Sequence, residues 1–379
     1  MATAACDTGL EVLASMGRTT TAAVDVTGDV RTLPAGFPAH VNTRLAWTGA
    51  QFANSSEYVL TLTDAHICEI QGALAHFKTL GLDGTEVGPS NFLLPTLGPL
   101  LEAVGSELYE GRGFQLVRGL NPADYSVEDL NIVWFGMQSF VAAQRGRQDR
   151  AGNMLVHIVA DDSTKDAAEH HRHSNKAITF HNEERGDIIS WLTRGAAAEG
   201  GQCVLSSAHT VYNVLAATRP DLVRVLARAD WPFSMPRFHC RPILFHQDGK
   251  LIINFGRTPL LGSAAHPRPA DLPGLSPVQV EALDAVERIA RATELAVATR
   301  PGDLHFVNNL ALLHRRGGYV DGAARRHLVR MYLRSPRHAW PVPAPLQRDW
   351  DRAFGERGPR AYHLEPMPPF YFPLRSHPN

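Results

Sequence analysis

Apolar residues recur every three to four positions after Thr63, at Ile67, Ile70, Leu74 and Phe77. That spacing predicts an amphipathic helix with its stripe turned to the core and Gly81 as C-cap. A second helical pattern begins in LPTLGPLLEAVGSELYEG, and a third runs from Leu130 to Ala143; between them, GFQLVRGL alternates apolar and polar residues and reads as a strand. From His181 onward the pattern becomes β. FHNEERGDIISWLTR and GQCVLSSAH are alternating and rich in β-branched residues, with the small-residue loop GAAAEGG between them. RPILFHQDGKLIINFG carries Asp248-Gly249 between two alternating runs, a hairpin signal. Ser276 as N-cap, Pro277 at the first helical position and Gln279 reaching back form a capping box for a helix with Leu283, Val286 and Ile289 on one face, ending before the turn Pro301-Gly302-Asp303. LHFVNNLALLHRRGGY then reads as strand, turn at Asn308-Asn309, strand. In the last strand, RRHLVRMYLRS, Arg326, Leu328 and Arg330 share a face.

Short strands with a few outer helices predict a mostly β fold with flanking helices, a double-stranded β-helix (jelly roll) able to hold a cavity between its sheets. Three regions are expected: a flexible N-terminal tail over 1–43, a jelly-roll domain over 44–340, and a C-terminal arm over 341–379 marked by Pro341, Pro343, Pro345, Pro366, Pro368 and Pro369. With 37 Lys plus Arg against 38 Asp plus Glu, the formal charge of −1 supplies no field for nucleic acid or an acidic membrane. No stretch approaches the ~20 apolar residues of a membrane span, and the N-terminus lacks the apolar core of a secretory signal. Cys6, Cys68, Cys203 and Cys240 are scattered without metal-site spacing, so a reducing, cytoplasmic setting is expected. A homo-oligomer is compatible with all of this.

The candidate chemistry lies in a split set of residues. On a strand, side chains two apart point the same way, so His181 and Glu183 would face one cavity. His314, 133 positions after His181, would supply a third ligand. Two His and one carboxylate on one face of an octahedral ion leave the opposite positions open, the ligand set of non-haem Fe(II) oxygenases. Were the cosubstrate 2-oxoglutarate, its distal carboxylate would need a buried cation, and arginine suits that role because its planar guanidinium pairs two oxygens and stays charged. Arg326, twelve positions after His314, is placed for it.

The ordered set FHNE, GDIISW, GGQC, PGDLHFVNNLALLH and RRHLVRMYLR, extended upstream by GRGFQLVRGL and HSNKAITF, resembles the TauD/TfdA-like (taurine dioxygenase-like) family of Fe(II)/2-oxoglutarate-dependent oxygenases, and looks closest to fungal members tied to secondary metabolism. The resemblance implies His181, Glu183 and His314 as iron ligands, Arg326 as the 2-oxoglutarate clamp and Arg330 as a second arginine contacting cosubstrate or an anionic substrate group. It also implies a reaction in which dioxygen and 2-oxoglutarate oxidise a small-molecule substrate by hydroxylation, desaturation or cyclisation, releasing succinate and carbon dioxide. Two positions depart from the family pattern. Glu183 replaces the commoner Asp, as in clavaminate synthase-like branches, and Cys203 stands where relatives with GGDT place a Thr on 2-oxoglutarate, a weaker hydrogen-bond partner.

Other readings stay open. A degenerate family member that binds a ligand or partner without turnover is motivated by Glu183 and Cys203, and a zinc hydrolase could use the same ligands. His170, His171 and His173 lie in a polar stretch that reads as solvated loop. His239, Cys240 and His246 read as core or edge of the hairpin, Arg325 and Arg334 as solvated charges, and Asn175 and Trp191 as pocket residues.

Overall fold

The computed structural model describes residues 32–160, 173–263, 266–323 and 325–366. Along the chain come β1 (Val59–Thr61), α1 (Asp64–Thr79), α2 (Leu97–Glu110), β2 (Phe114–Arg118), α3 (Val127–Val141), β3 (Gln144–Gly146), β4 (Val156–Val159), β5 (Ile178–His181), β6 (Ile188–Gly195), β7 (Cys203–Ser207), α4 (Ala208–Thr218), α5 (Pro220–Leu226), β8 (Leu244–Gln247), β9 (Lys250–Ile253), α6 (Pro277–Ala292), β10 (Leu295–Val297), β11 (Leu304–Asn308), β12 (Leu312–Arg316), β13 (His327–Arg334) and α7 (Ala344–Phe354). The larger sheet has the order β1-β2-β11-β6-β13-β3, with β4 also on β13, and the smaller has β10-β7-β12-β5. Only β1 and β2 run parallel within these sheets. The two sheets form the double-stranded β-helix that the strand pattern predicts.

Strand alternation divides the side chains between two layers. From β6, Ile188 and Leu192 pack outward with Ile70 and Phe77 of α1, Leu101 and Leu108 of α2 and Trp134 of α3, while Ile189 and Trp191 point between the sheets. From β13, Val329, Met331 and Leu333 join the outer layer, whereas Leu328 and Tyr332 face inward. The smaller sheet is covered by α4, α5 and α6 through Tyr212, Leu215, Leu222, Leu283, Val286 and Ile289. Both faces of the central strands are thus withdrawn from water, each fully buried Leu, Ile or Phe contributing roughly 1.5–3 kcal/mol.

The local signals have physical counterparts. Gly81, at φ 64°, follows the last residues of α1 in the left-handed conformation that ends helices. Asp248 and Gly249 take φ 51° and 72° between β8 and β9, the paired positive angles of a tight two-residue hairpin. Ser276 Oγ accepts from Gln279 N at 3.4 Å, and Ser276 N donates to Gln279 Oε1 at 2.9 Å, completing the capping box of α6. That helix stops at Ala292, and β10 occupies the interval before the Pro301 turn; at three residues β10 is too short to show a period.

At the N-terminal end of the described chain, Val41 is buried, with its N donating to Asn213 Oδ1 of α4 at 2.7 Å. At the C-terminal end, α7 buries Leu346, Trp350 and Ala353, and Trp350 Nε1 donates to Asp187 Oδ1 at 2.6 Å. Among the described residues no helix is long and apolar enough to cross a membrane.

Candidate metal and cosubstrate site

His181 closes β5, and the ladder with β12 sets His314 directly opposite it, their ring centroids 4.2 Å apart. Glu183 is not on the strand. β5 ends at His181 and the following residues form a loop, so strand alternation is not what brings the carboxylate to the histidines. Two asparagines do. Asn182 N donates to Phe255 O at 3.0 Å, Asn182 Oδ1 accepts from Phe255 N at 2.5 Å, and its Nδ2 donates to Ile253 O at 2.8 Å and Asn309 O at 3.0 Å. Asn309 Oδ1 accepts from Glu183 N at 2.7 Å while its Nδ2 donates to Glu183 O at 2.9 Å and Gly186 O at 3.0 Å. The Asn308-Asn309 turn is therefore present as expected, Asn308 Oδ1 accepting from Leu310 N and Ala311 N, and it also fastens the Glu183 loop.

One ligand atom from each of His181, Glu183 and His314 lies within 4.8 Å of the others, and no other such His, Cys, Asp or Glu group of three or more occurs among the described residues. His181 Nδ1 sits 2.9 Å from the Thr179 carbonyl, so it carries the proton and leaves the Nε2 lone pair for a metal. Burial, then the neighbouring His181, holds His314 well below the usual imidazole pKa despite Glu183, and the neutral ring is the ligating form. Two imidazole nitrogens and one carboxylate fit a divalent ion with open positions.

Glu183 also has protein partners. Arg330 Nη1 pairs with Oε1, Tyr332 OH donates to Oε2 at 3.0 Å, and Oε1 lies 3.8 Å from His314 Nε2. Arg330 Nε donates to Gln148 Oε1 at 3.2 Å, which braces the guanidinium. Burial opposes the charge on Arg330, but Glu183 and then Tyr332 outweigh it and its pKa is raised. The contact shown for Arg330 is thus the candidate ligand itself. Sequence reasoning missed Tyr332; one more step along the Arg326, Leu328, Arg330 alternation reaches it.

Arg326 stands just before β13 in the same cavity. Its backbone N donates to Asp321 Oδ1 at 2.8 Å, its Nε donates to Gly201 O at 3.3 Å, and its buried Nη1 has no hydrogen-bond partner. Gly201, at φ 68°, is needed here, since a Cβ would lie 3.0 Å from Arg326 Cδ and Nε. Cys203 lies opposite Arg316 in the β7/β12 ladder; burial pushes its thiol up to about 12 against the pull of Arg326, so it is neutral. Ile158, Ile178, Trp191, His305, Arg316 and Leu328 also line the cavity, Trp191 edge-on to His314 at 5.3 Å. Burial lowers His305 to about 4.

The remaining candidates fall elsewhere. Asn175 is exposed and outside the cavity lining, its carbonyl accepting from Tyr319 N at 3.0 Å. His170 and His171 lie outside the described residues, and the His173 ring Nδ1 is 3.0 Å from Val159 O. His239 and His246 sit on short strands with Nδ1 against the Arg237 and Gly36 carbonyls. Arg334 Nε is 3.9 Å from buried Asp187, while Arg325 is exposed.

The sequence profile of the taurine catabolism dioxygenase TauD, TfdA family matches residues 77–332. The taurine hydroxylase-like protein SAT17 of Stachybotrys chartarum is 36% identical over 330 residues, covering 83% of this chain and 85% of that protein. FR-33289 synthase of Streptomyces rubellomurinus is 26% identical over 312 residues, covering 77% and 90%. Among solved structures, asparagine oxygenase with Fe(II), 3-hydroxyasparagine and succinate superposes with a TM-score of 0.57 at 15% identity, over 73% of this chain and 94% of that one. The non-haem iron oxygenase OrfP with Fe and alpha-ketoglutaric acid does so with a TM-score of 0.54 at 13% identity, over 73% and 94%.

Proposed function

Because the chain belongs to the TauD/TfdA family of Fe(II)/2-oxoglutarate-dependent dioxygenases, we propose that His181, Glu183 and His314 hold its iron, that Arg326 takes the distal carboxylate of 2-oxoglutarate, and that it oxidises a small organic molecule. The observation that carries this reading is the convergence of three donor side chains in one cavity with a buried Arg326 nitrogen that no protein group satisfies. Bound there, Fe(II) supplies dioxygen activation coupled to decarboxylation of 2-oxoglutarate to succinate and carbon dioxide. The chain's own residues orient and exclude. The Thr179 carbonyl fixes the His181 tautomer, Asn309 holds the Glu183 backbone, and Trp191, Leu328 and Ile158 keep the cavity wall apolar. Hydroxylation is the default outcome; desaturation or ring closure would use the same oxidant on a differently placed substrate carbon.

Anaerobic addition of Fe(II) and 2-oxoglutarate is expected to give the weak visible band of the chelate, with succinate formed under air. Absence of both would overturn the proposal. Arg326→Ala is expected to weaken 2-oxoglutarate binding while sparing the metal, and an unchanged affinity would remove Arg326 from its role.

A second reading, a non-catalytic ligand-binding relative, is favoured by one observation: both Glu183 oxygens already have partners in Arg330 and Tyr332. An inactive wild type that gains 2-oxoglutarate turnover on Glu183→Asp would support it. Equal or lower activity in the variant would make the glutamate a working ligand.

A further inference from the structure

A further arginine, Arg316, lines the cavity with Arg326 and Arg330 and lies outside the motif positions named above. It ends β12, two positions beyond His314, and faces the same chamber because side chains two apart on a strand point the same way and the β7/β12 ladder is regular there. Its Nη2 is committed to the Ser174 and Lys176 carbonyls at 2.6 and 2.7 Å, but Nε and Nη1 are buried without a partner, as is Arg326 Nη1. The two guanidinium carbons lie 5.0 and 5.2 Å from the centroid of one Tyr319 ring, and both arginines are 6% exposed. Gly200 and Gly201 make the approach close, since Glu199–Gly200 pairs with Tyr319–Val320.

Two buried cations side by side are costly unless something negative joins them. The nearby acids are engaged: Glu183 with Arg330, Glu294 with Arg315, and Asp321 Oδ1 with the Arg326 backbone. Cys203, paired with Arg316 in the β7/β12 ladder, is a neutral thiol and supplies no charge. Arginine keeps its charge even when buried, so both groups are cations at neutral pH.

We infer that Arg316 and Arg326 form a paired seat for the distal carboxylate of the 2-oxo acid, so that preference for a dicarboxylate comes from two guanidinium groups that both approach the Tyr319 ring. The inference rests on the proposed 2-oxoglutarate reading and adds a specificity-determining residue to it. Two cationic contacts also offset the weak hydrogen bonding of Cys203 at the position where relatives carry a threonine.

The test compares 2-oxoglutarate with 2-oxovalerate, which has the same chain with a methyl in place of the distal carboxylate, by titrating the anaerobic Fe(II) protein and following the chelate band. Arg316→Met is expected to weaken 2-oxoglutarate about tenfold or more, the loss of a charge-assisted hydrogen bond, while 2-oxovalerate stays within about twofold. Arg316→Lys, which keeps the charge but not the fork, should restore part of the discrimination. Equal weakening of both acids would mean that Arg316 merely props the Ser174–Lys176 segment, and no weakening of either would also overturn the inference. A wild type without the band, or an Arg326→Met variant that binds 2-oxoglutarate normally, would instead strike the underlying reading.

Discussion

Asn309→Ala tests whether a turn, rather than a strand, positions the proposed carboxylate ligand. The side chain is 1% exposed and joins the β11/β12 turn to the Glu183 loop, accepting from Glu183 N at 2.7 Å and donating to Glu183 O at 2.9 Å and Gly186 O at 3.0 Å. At about 1 kcal/mol net per buried hydrogen bond, with an added penalty for any group left dry and unpaired, the substitution should cost about 3 kcal/mol of stability. Urea unfolding of the metal-free protein reads that as a lower midpoint at unchanged slope. Because Glu183 loses its backbone anchor, metal affinity should also fall about 10- to 100-fold, as it does when groups that orient a ligand are removed. Asn309→Asp separates the two halves of the clamp, since it keeps the acceptor for Glu183 N and loses the donors to the carbonyls. A stability loss below about 1 kcal/mol together with unchanged metal affinity would refute the reasoning, because three buried bonds cannot vanish without effect.

Gly201→Ala places a Cβ 3.0 Å from Arg326 at a positive φ, so 2-oxoglutarate affinity should drop while metal affinity holds, measured by titrating each in turn. Tyr332→Phe removes a 3.0 Å bond to Glu183 Oε2 and should lower metal affinity by about two- to tenfold, read by calorimetry with Co(II). His209, with ring nitrogens against Thr43 Oγ1 and the Leu251 carbonyl, is lowered by burial to about 4. Since the unfolded ring takes its proton near pH 6.5 and the folded ring does not, stability is full above that pH and falls toward pH 4 by up to about 1.4 kcal/mol per unit. His209→Gln should flatten the urea midpoint against pH across that window by this amount.

What was legible in the sequence follows from the range of the forces involved. The helix of Ile67, Ile70, Leu74 and Phe77, the Ser276 capping box and the Asp248-Gly249 hairpin are local devices, and each is present where its pattern lies. The facing of His181 and His314 came from motif order rather than from any local signal, because a ladder between residues 133 apart is set only by the closed sheet. Arg316 had a readable signal: it lies two positions after His314 on β12, so strand alternation alone sets both on one face, although no motif marks it. Helix α7 was hidden by its flanking prolines, although Pro343 and Pro345 sit at its start, where a missing N–H costs nothing.

The glutamate at position 183 is the residue that most needed the structure, because its backbone position bears on the proposed role of the longer side chain. Strand β5 stops at His181, Asn182 is spent on Phe255 and Ile253, and Asn309 pins the Glu183 backbone to a turn on the neighbouring strands. From that position Glu183 Oε1 lies 3.8 Å from His314 Nε2. Aspartate is shorter by one carbon–carbon bond, about 1.5 Å, so Glu183→Asp with the clamp intact should either withdraw the ligand or break clamp bonds to deliver it. The two substitutions should therefore couple. If the clamp is what makes aspartate too short, Glu183→Asp should cost less metal affinity in an Asn309→Ala background than in the wild type, by about 0.5–3 kcal/mol. Additive losses, within about 0.5 kcal/mol, would mean that the loop adjusts freely and that the extra methylene answers to something other than the position of the backbone.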